Sequence, residues 1–168
     1  ICGWTGSTYW MRGSRTPSSG TGAAKAQSGS YFMYLESSYG STGTTSYLVS
    51  PKLAPSAKSV TFQYHMYGAS MGTLSIQANV AGTWIATGWI LQGQQQVRQT
   101  DAWRASGLNL PAGTTQVRFK GTKGSSWQGD ISIDTVVVSA VIYTAPVCTC
   151  ANGTAAAGAS CTNDKAKI

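Results

Sequence analysis

The sequence predicts an all-β fold, a sandwich of two antiparallel sheets, and three observations predict it. Between Thr61 and Met66 the side chains alternate: Phe62, Tyr64 and Met66 point one way, Thr61, Gln63 and His65 the other. That period of two is the mark of a strand with one buried face. Turn residues then punctuate the chain at short intervals, as at Tyr39-Gly40-Ser41, Ser50-Pro51, Ala81-Gly82, Pro111-Ala112-Gly113 and Gly121 to Gly124. Finally, no stretch combines helical periodicity with capping residues. Many short strands with this punctuation point to a sandwich or jelly roll.

In chain order, the segment Gly6 to Gly29 is rich in Gly, Ser, Thr and Ala and reads as a long surface loop, with Trp4 and Trp10 as its natural anchors. Strands are expected over Tyr31 to Glu36, Ser46 to Val49 and Ser59 to Tyr67. A Gly-bearing turn follows, and Leu74, Ile76, Ala78 and Val80 alternate with Ser75, Gln77 and Asn79 in a strand over Thr73 to Val80. Further strands are expected over Thr83 to Leu91, Ala102 to Leu108, Gln116 to Lys120 and Asp130 to Tyr143. Composition shifts near Ala145-Pro146. The division is therefore a sandwich over 1–144 and, over 145–168, the start of a cysteine-rich, loop-like module or linker. This tail has too few large apolar residues to bury a core and would rely on cysteine bridges.

Charge and size narrow the function classes. At 168 residues the chain is one ordinary domain with a short appendage. The net charge of +7 reflects scarce acids (5 Asp plus Glu against 12 Lys plus Arg). The bases are scattered, and only Arg118 to Lys123 form a local cluster. No RNP motif, zinc finger or basic helix accompanies them, which argues against nucleic acid. A solvated basic edge, an acidic partner or an anionic polysaccharide suits them better. The most apolar run, Val136 to Val147, is about a dozen residues against the ~20 of a membrane-spanning helix, so direct membrane insertion is not expected. The opening Ile1-Cys2-Gly3-Trp4 lacks the features of a signal peptide, so the chain reads as a mature or excised piece of something longer.

Several motifs occur in a telling order: Cys2-Gly3-Trp4; Trp10 with Arg12; Thr16 to Gly22; Gly29 to Glu36; Leu48-Val49-Ser50-Pro51. Tyr64-His65-Met66-Tyr67-Gly68 with Met71-Gly72-Thr73-Leu74, Trp103-Arg104, Gln116 to Gly121 and Gly129 to Asp134 continue it. Together, over residues 2 to about 140, they resemble the MAM domain, an extracellular adhesion module. The resemblance implies a jelly-roll β-sandwich of two antiparallel sheets. It also implies a place outside the cell within a larger multidomain protein, and a role in homophilic or heterophilic adhesion or in subunit association. In some relatives the module sits beside a protease without performing catalysis. A cysteine common in the family before the YHMYG strand is Ser59 here. The four cysteines Cys2, Cys148, Cys150 and Cys161 permit three pairings. A bridge between Cys148 and Cys150 would be strained, and a bond from Cys2 to a tail cysteine is one expectation among them.

Catalytic chemistry finds little material. The one histidine, His65, has no neighbouring nucleophile or ligand motif and reads as structural or surface. No GxSxG or HExxH occurs, and no enzyme is expected. The family resemblance implies a structural cation, Ca²⁺ or Na⁺, where the Thr-Gly loop meets the acidic strand. Glu36, Asp130 and Asp134 match its acidic positions, and an acid usual after the Thr-Gly motif is replaced by small residues and Lys25. Among six tryptophans, Trp4, Trp10 and Trp103 fall at structural positions of the MAM pattern, while Trp84, Trp89 and Trp127 lie beside turns. Trp84, Arg118 and Trp127 are the expected binding anchors. Asn152-Gly153-Thr154 is an N-glycosylation sequon. The resulting expectation is a non-enzymatic extracellular module for adhesion or assembly, with a protein partner or a second copy. A carbohydrate-binding module of a matrix or cell-wall protein is the alternative, and a non-catalytic accessory domain of a secreted hydrolase the second.

Overall fold

The computed structural model describes residues 3–144 and, beyond them, residues 148–149 and 155–156. Cys2, Cys150, Cys161 and Asn152 lie outside the described residues, and Cys148 enters only through its backbone. Ten strands build the sandwich: β1 (Thr5–Gly6), β2 (Trp10–Gly13), β3 (Phe32–Leu35), β4 (Thr45–Val49), β5 (Ser59–Met66), β6 (Thr73–Val80), β7 (Thr83–Gln92), β8 (Arg104–Asn109), β9 (Thr114–Thr122) and β10 (Ile131–Ser139). A front sheet runs β1-β4-β9-β6-β7 and a back sheet β2-β3-β10-β5-β8, five strands each. All their pairings are antiparallel. A separate antiparallel pair joins β11 (Cys148–Thr149) to β12 (Ala155–Ala156).

The alternation that predicted β5 and β6 is realised as the core between the sheets. Phe62, Tyr64 and Met66 from the back meet Leu74 and Ile76 from the front, with Leu48, Phe119, Ile131 and Ile133 filling around them. Phe62 is the hub, edge-on to Phe119 at 4.9 Å and to Trp89 at 5.0 Å. The wording of the turn has a steric cause. A side chain at Gly68, at φ +150°, would run into the carbonyl of Gln128, and one at Gly72 into the carbonyl of Thr122. Only glycine lets these backbones close on each other.

The Gly6 to Gly29 segment departs from expectation. It contains the end of β1 and all of β2, and the part after β2 is not a free surface loop but lies across the outer side of the back sheet. There Ala23 packs with Phe32 and Tyr34, flanked by Met11, Ala26 and Trp103, in a second small core. Trp4 and Trp10 do not anchor it: both belong with the main core. Polar side chains hold it instead. Asp134 accepts the amides of Gln27 (2.9 Å) and Ser28 (3.1 Å), and Gln99 Nε2 donates to the Thr21 carbonyl (2.8 Å). Trp103 Nε1 donates to the Lys25 carbonyl (3.1 Å). His65 is neither on the surface nor on a rim. It is fully buried, with Trp103 edge-on at 5.8 Å and the Arg98 to Asp101 loop beside it.

Candidate functional site

Two places gather the residues that the sequence singles out. The first is the outer face of the front sheet. Along β9, Val117 and Phe119 point inward, so Gln116, Arg118 and Lys120 point outward. Antiparallel pairing sets Gln77 of β6 opposite Arg118, and Trp84 of β7 opposite Asn79. The Arg118 guanidinium lies between two rings, 3.9 Å from the Tyr47 centroid and 4.2 Å from the Trp84 centroid. Its Nε donates to Gln77 Oε1 at 2.7 Å. Cation–π stacking on both sides and one side-chain acceptor thus fix a half-exposed arginine in place.

The two expected anchors Trp84 and Arg118 are therefore brought together, and Trp127 is not. Trp127 stands 45% exposed in the loop before β10, and its carbonyl accepts from the Ser37 hydroxyl at 2.6 Å. Sequence reasoning missed Tyr47 and Gln77. The alternation of β4 and β6 places both on an outward face, but only the register puts them beside Arg118. Trp89, weighed as a surface tryptophan beside a turn, instead packs on Phe62 and donates Nε1 to Ser106 Oγ at 3.0 Å.

The second place is an acidic corner at the start of β10. Asp130 is fully buried, and its Oδ1 accepts from the amide (2.9 Å) and hydroxyl (2.8 Å) of Ser37. Among the described residues its Oδ2 has no hydrogen-bond partner. Burial pushes its pKa up to about 6, against the lowering effect of the Ser37 bonds and Lys123; Glu36 raises it further. Glu36 is buried beside it and accepts the Ser38 amide at 2.9 Å. Lys123 Nζ donates to the Ser37 carbonyl in the same corner. Thr21 reaches it too, its hydroxyl accepting the Asp130 amide at 2.8 Å.

Asp134 does not join this corner. Four residues along an extended strand is about 13 Å, and its carboxylate accepts the amides of Gln27, Ser28 and Thr135. Among the described residues no three His, Cys, Asp or Glu side chains gather as a metal cluster. The cation expected at Glu36, Asp130 and Asp134 thus finds two carboxylates, with Asp130 Oδ2 and Glu36 Oε2 unbonded among the described residues, and a lysine already beside them.

A shallow groove of about 630 Å³ flanks Asp134, lined by Arg12, Tyr31, Thr135 and Val137 among others. Thr135 sits at the β-bulge of β10 with φ +47°, strained for a β-branched residue, and bonds Gln27 Oε1 at 2.6 Å.

Comparison with known proteins follows the fold. The family profile of the MAM domain (meprin/A5/mu) matches residues 1–142. MAM domain-containing glycosylphosphatidylinositol anchor protein 1 of Rattus norvegicus is 35% identical over 114 residues, covering 64% of this chain and 12% of that protein. MAM domain-containing protein 2 of Mus musculus is 32% identical over 138 residues, covering 78% of this chain and 20% of that protein. The chain thus matches only a small part of the length of these relatives. Among solved structures, the K3 cleaved adhesin domain of Lys-gingipain from Porphyromonas gingivalis superposes with TM-score 0.61 at 21% identity, covering 83% of this chain and 92% of that one. TmCBM61 in complex with β-1,4-galactotriose superposes with TM-score 0.53 at 13% identity, covering 82% and 88%. At such identities the structural matches speak for the fold alone.

Proposed function

This chain belongs to the MAM domain family, whose members are extracellular adhesion modules, and from that premise we propose that it is a non-enzymatic adhesion and assembly module of a larger extracellular protein. It engages a protein partner or a second copy of itself through the free edge of the front sheet. The observation that carries this reading is β7. It is the longest strand of the sandwich, ten residues at the sheet's edge, and no residue from Thr83 to Gln92 is ionisable. Ile85 is 39% exposed on it and Ile90 61%. Edge strands are normally blunted by lysine, proline or a covering segment, because their unpaired amides and carbonyls template further pairing. An apolar edge that no described strand pairs suits strand addition, with Trp84 and Arg118 as neighbouring anchors.

Sedimentation of the chain across a concentration series tests it. Mass is expected to rise with concentration, and Ile90→Lys to abolish the rise by burying a charge in the new pairing. A wild type that stays monomeric and captures no partner through β7 overturns this route. Hydrolysis of a peptide or glycan by the purified chain would overturn the non-enzymatic reading. The cation reading narrows to Glu36 and Asp130, with a hard ion stabilising the two carboxylates at the end of the sandwich. The same runs with calcium and then with chelator read it out as a shift in mass or melting temperature, absent in Asp130→Asn.

A further inference from the structure

We propose that the outer face of the front sheet is a binding site for anionic polysaccharide, with Arg118 as its central contact. This goes beyond adhesion between proteins and does not depend on it. The five strands of the front sheet contain no Asp or Glu. Glu36, Asp101, Asp130 and Asp134 all lie in the back sheet's strands or in the loops flanking them. With a net charge of +7, an outward face that carries no carboxylate among the described residues attracts anions and offers them no local repulsion.

The face is also built for recognition and not merely charged. Tyr47 and Trp84 hold the guanidinium from both sides, and Gln77 occupies its Nε. Among the described residues no hydrogen bond uses its terminal Nη groups. They are the donors left for a ligand, in the forked geometry that fits a carboxylate or sulfate. Lys120 lies two residues along the same outward row, about 7 Å away, and supplies a second positive charge. Between β9 and the edge, the row of Ser75, Gln77 and Asn79 on β6 offers neutral hydroxyl and amide groups suited to sugar hydroxyls. The aromatic rings flanking Arg118 add flat surface for a pyranose ring. A flat, open, acid-free row of this kind suits a chain of charged sugars lying across the strands.

Binding of the 168-residue chain to heparin (sulfated), hyaluronan (carboxylate only) and dextran (neutral), at about 150 mM salt, decides the matter. Binding to heparin, or to heparin and hyaluronan, without dextran is expected, and which of the two binds assigns sulfate or carboxylate. The double variant Arg118→Met, Lys120→Gln should weaken binding on the order of tenfold. The charge-matched pair Arg15→Met, Lys25→Gln, exposed in the segment that lies over the back sheet, should change it little. Trp84→Leu removes no charge and should still weaken binding severalfold, because it frees the guanidinium; circular dichroism and melting confirm that each variant is folded. Equal losses from the two charge-matched pairs, no loss from folded Trp84→Leu, or no binding to either anionic glycan would overturn the proposal. Sedimentation reports on β7 separately, so failure of one reading is distinguishable from failure of the other.

Discussion

His65 and Asp130 are two buried ionisable residues whose pKa values move in opposite directions for the same reason. Burial disfavours charge, so it lowers His65 to about 4 and raises Asp130 to about 6. Among the described residues neither nitrogen of His65 has a hydrogen-bond partner; nearby Asp101 opposes the lowering and Arg104 adds to it. The consequences for stability oppose each other. The His65 contribution is present above its unfolded value of 6.5 and is lost as pH falls through about 4. The Asp130 contribution is fully present below 3.8 and is lost as pH rises through about 6. The wild type should therefore change little in stability between about pH 4 and 6. Urea melts across that range should show His65→Phe gaining stability on acidification and Asp130→Asn losing it, each by on the order of 3 kcal/mol at most. The sequence placed His65 on the far side of β5 from Phe62 and Tyr64, and that was right. That side is covered as well, by Trp103 and the Arg98 to Asp101 loop more than thirty positions later, to which the 14–30 segment bonds through the Ala24 amide and the Gln99 carbonyl.

That cover belongs to the scale of elements. The strands predicted from alternation appear with small shifts: Thr73–Val80 unchanged, Gln116 to Lys120 extended to Thr114–Thr122, and Asp130 to Tyr143 shortened to Ile131–Ser139. β1 and β2 were not expected, for they are short and sit where glycine and hydroxyl residues dominate. The 14–30 segment carries almost no apolar periodicity, since small residues such as Ala23 suffice to seal an already apolar sheet face. What fixes its position is polar, and Asp134 is the main clamp. Asp134→Ala should leave the Gln27 and Ser28 amides without their acceptor and cost about 1–3 kcal/mol. Hydrogen exchange should then accelerate across this segment while the amides of β6 and β9, in the other sheet, stay protected. Uniform acceleration over both sheets would mean that the segment is integral to the whole fold.

Across the whole molecule, the two sheets depend on a shared set of rings. Phe62→Ala removes the hub that touches Phe119 and Trp89 and should destabilise by about 3–5 kcal/mol, read from chemical denaturation. The all-β class, the inward residues of the long strands and the family can be read along the chain, because alternation, turn glycines and motif order are local properties. Trp84, Arg118, Glu36 and Asp130 stand out there one at a time. Which of them meet depends on how the sheets pair and pack. Strand register set Tyr47 and Gln77 against Arg118, and strand length separated Asp134 from Asp130. The closing of the loop before β8 over the back sheet buried His65 against Trp103. Each of these is a contact between residues tens of positions apart, fixed by how sheets pair and pack, and no local pattern in a sequence encodes that distance.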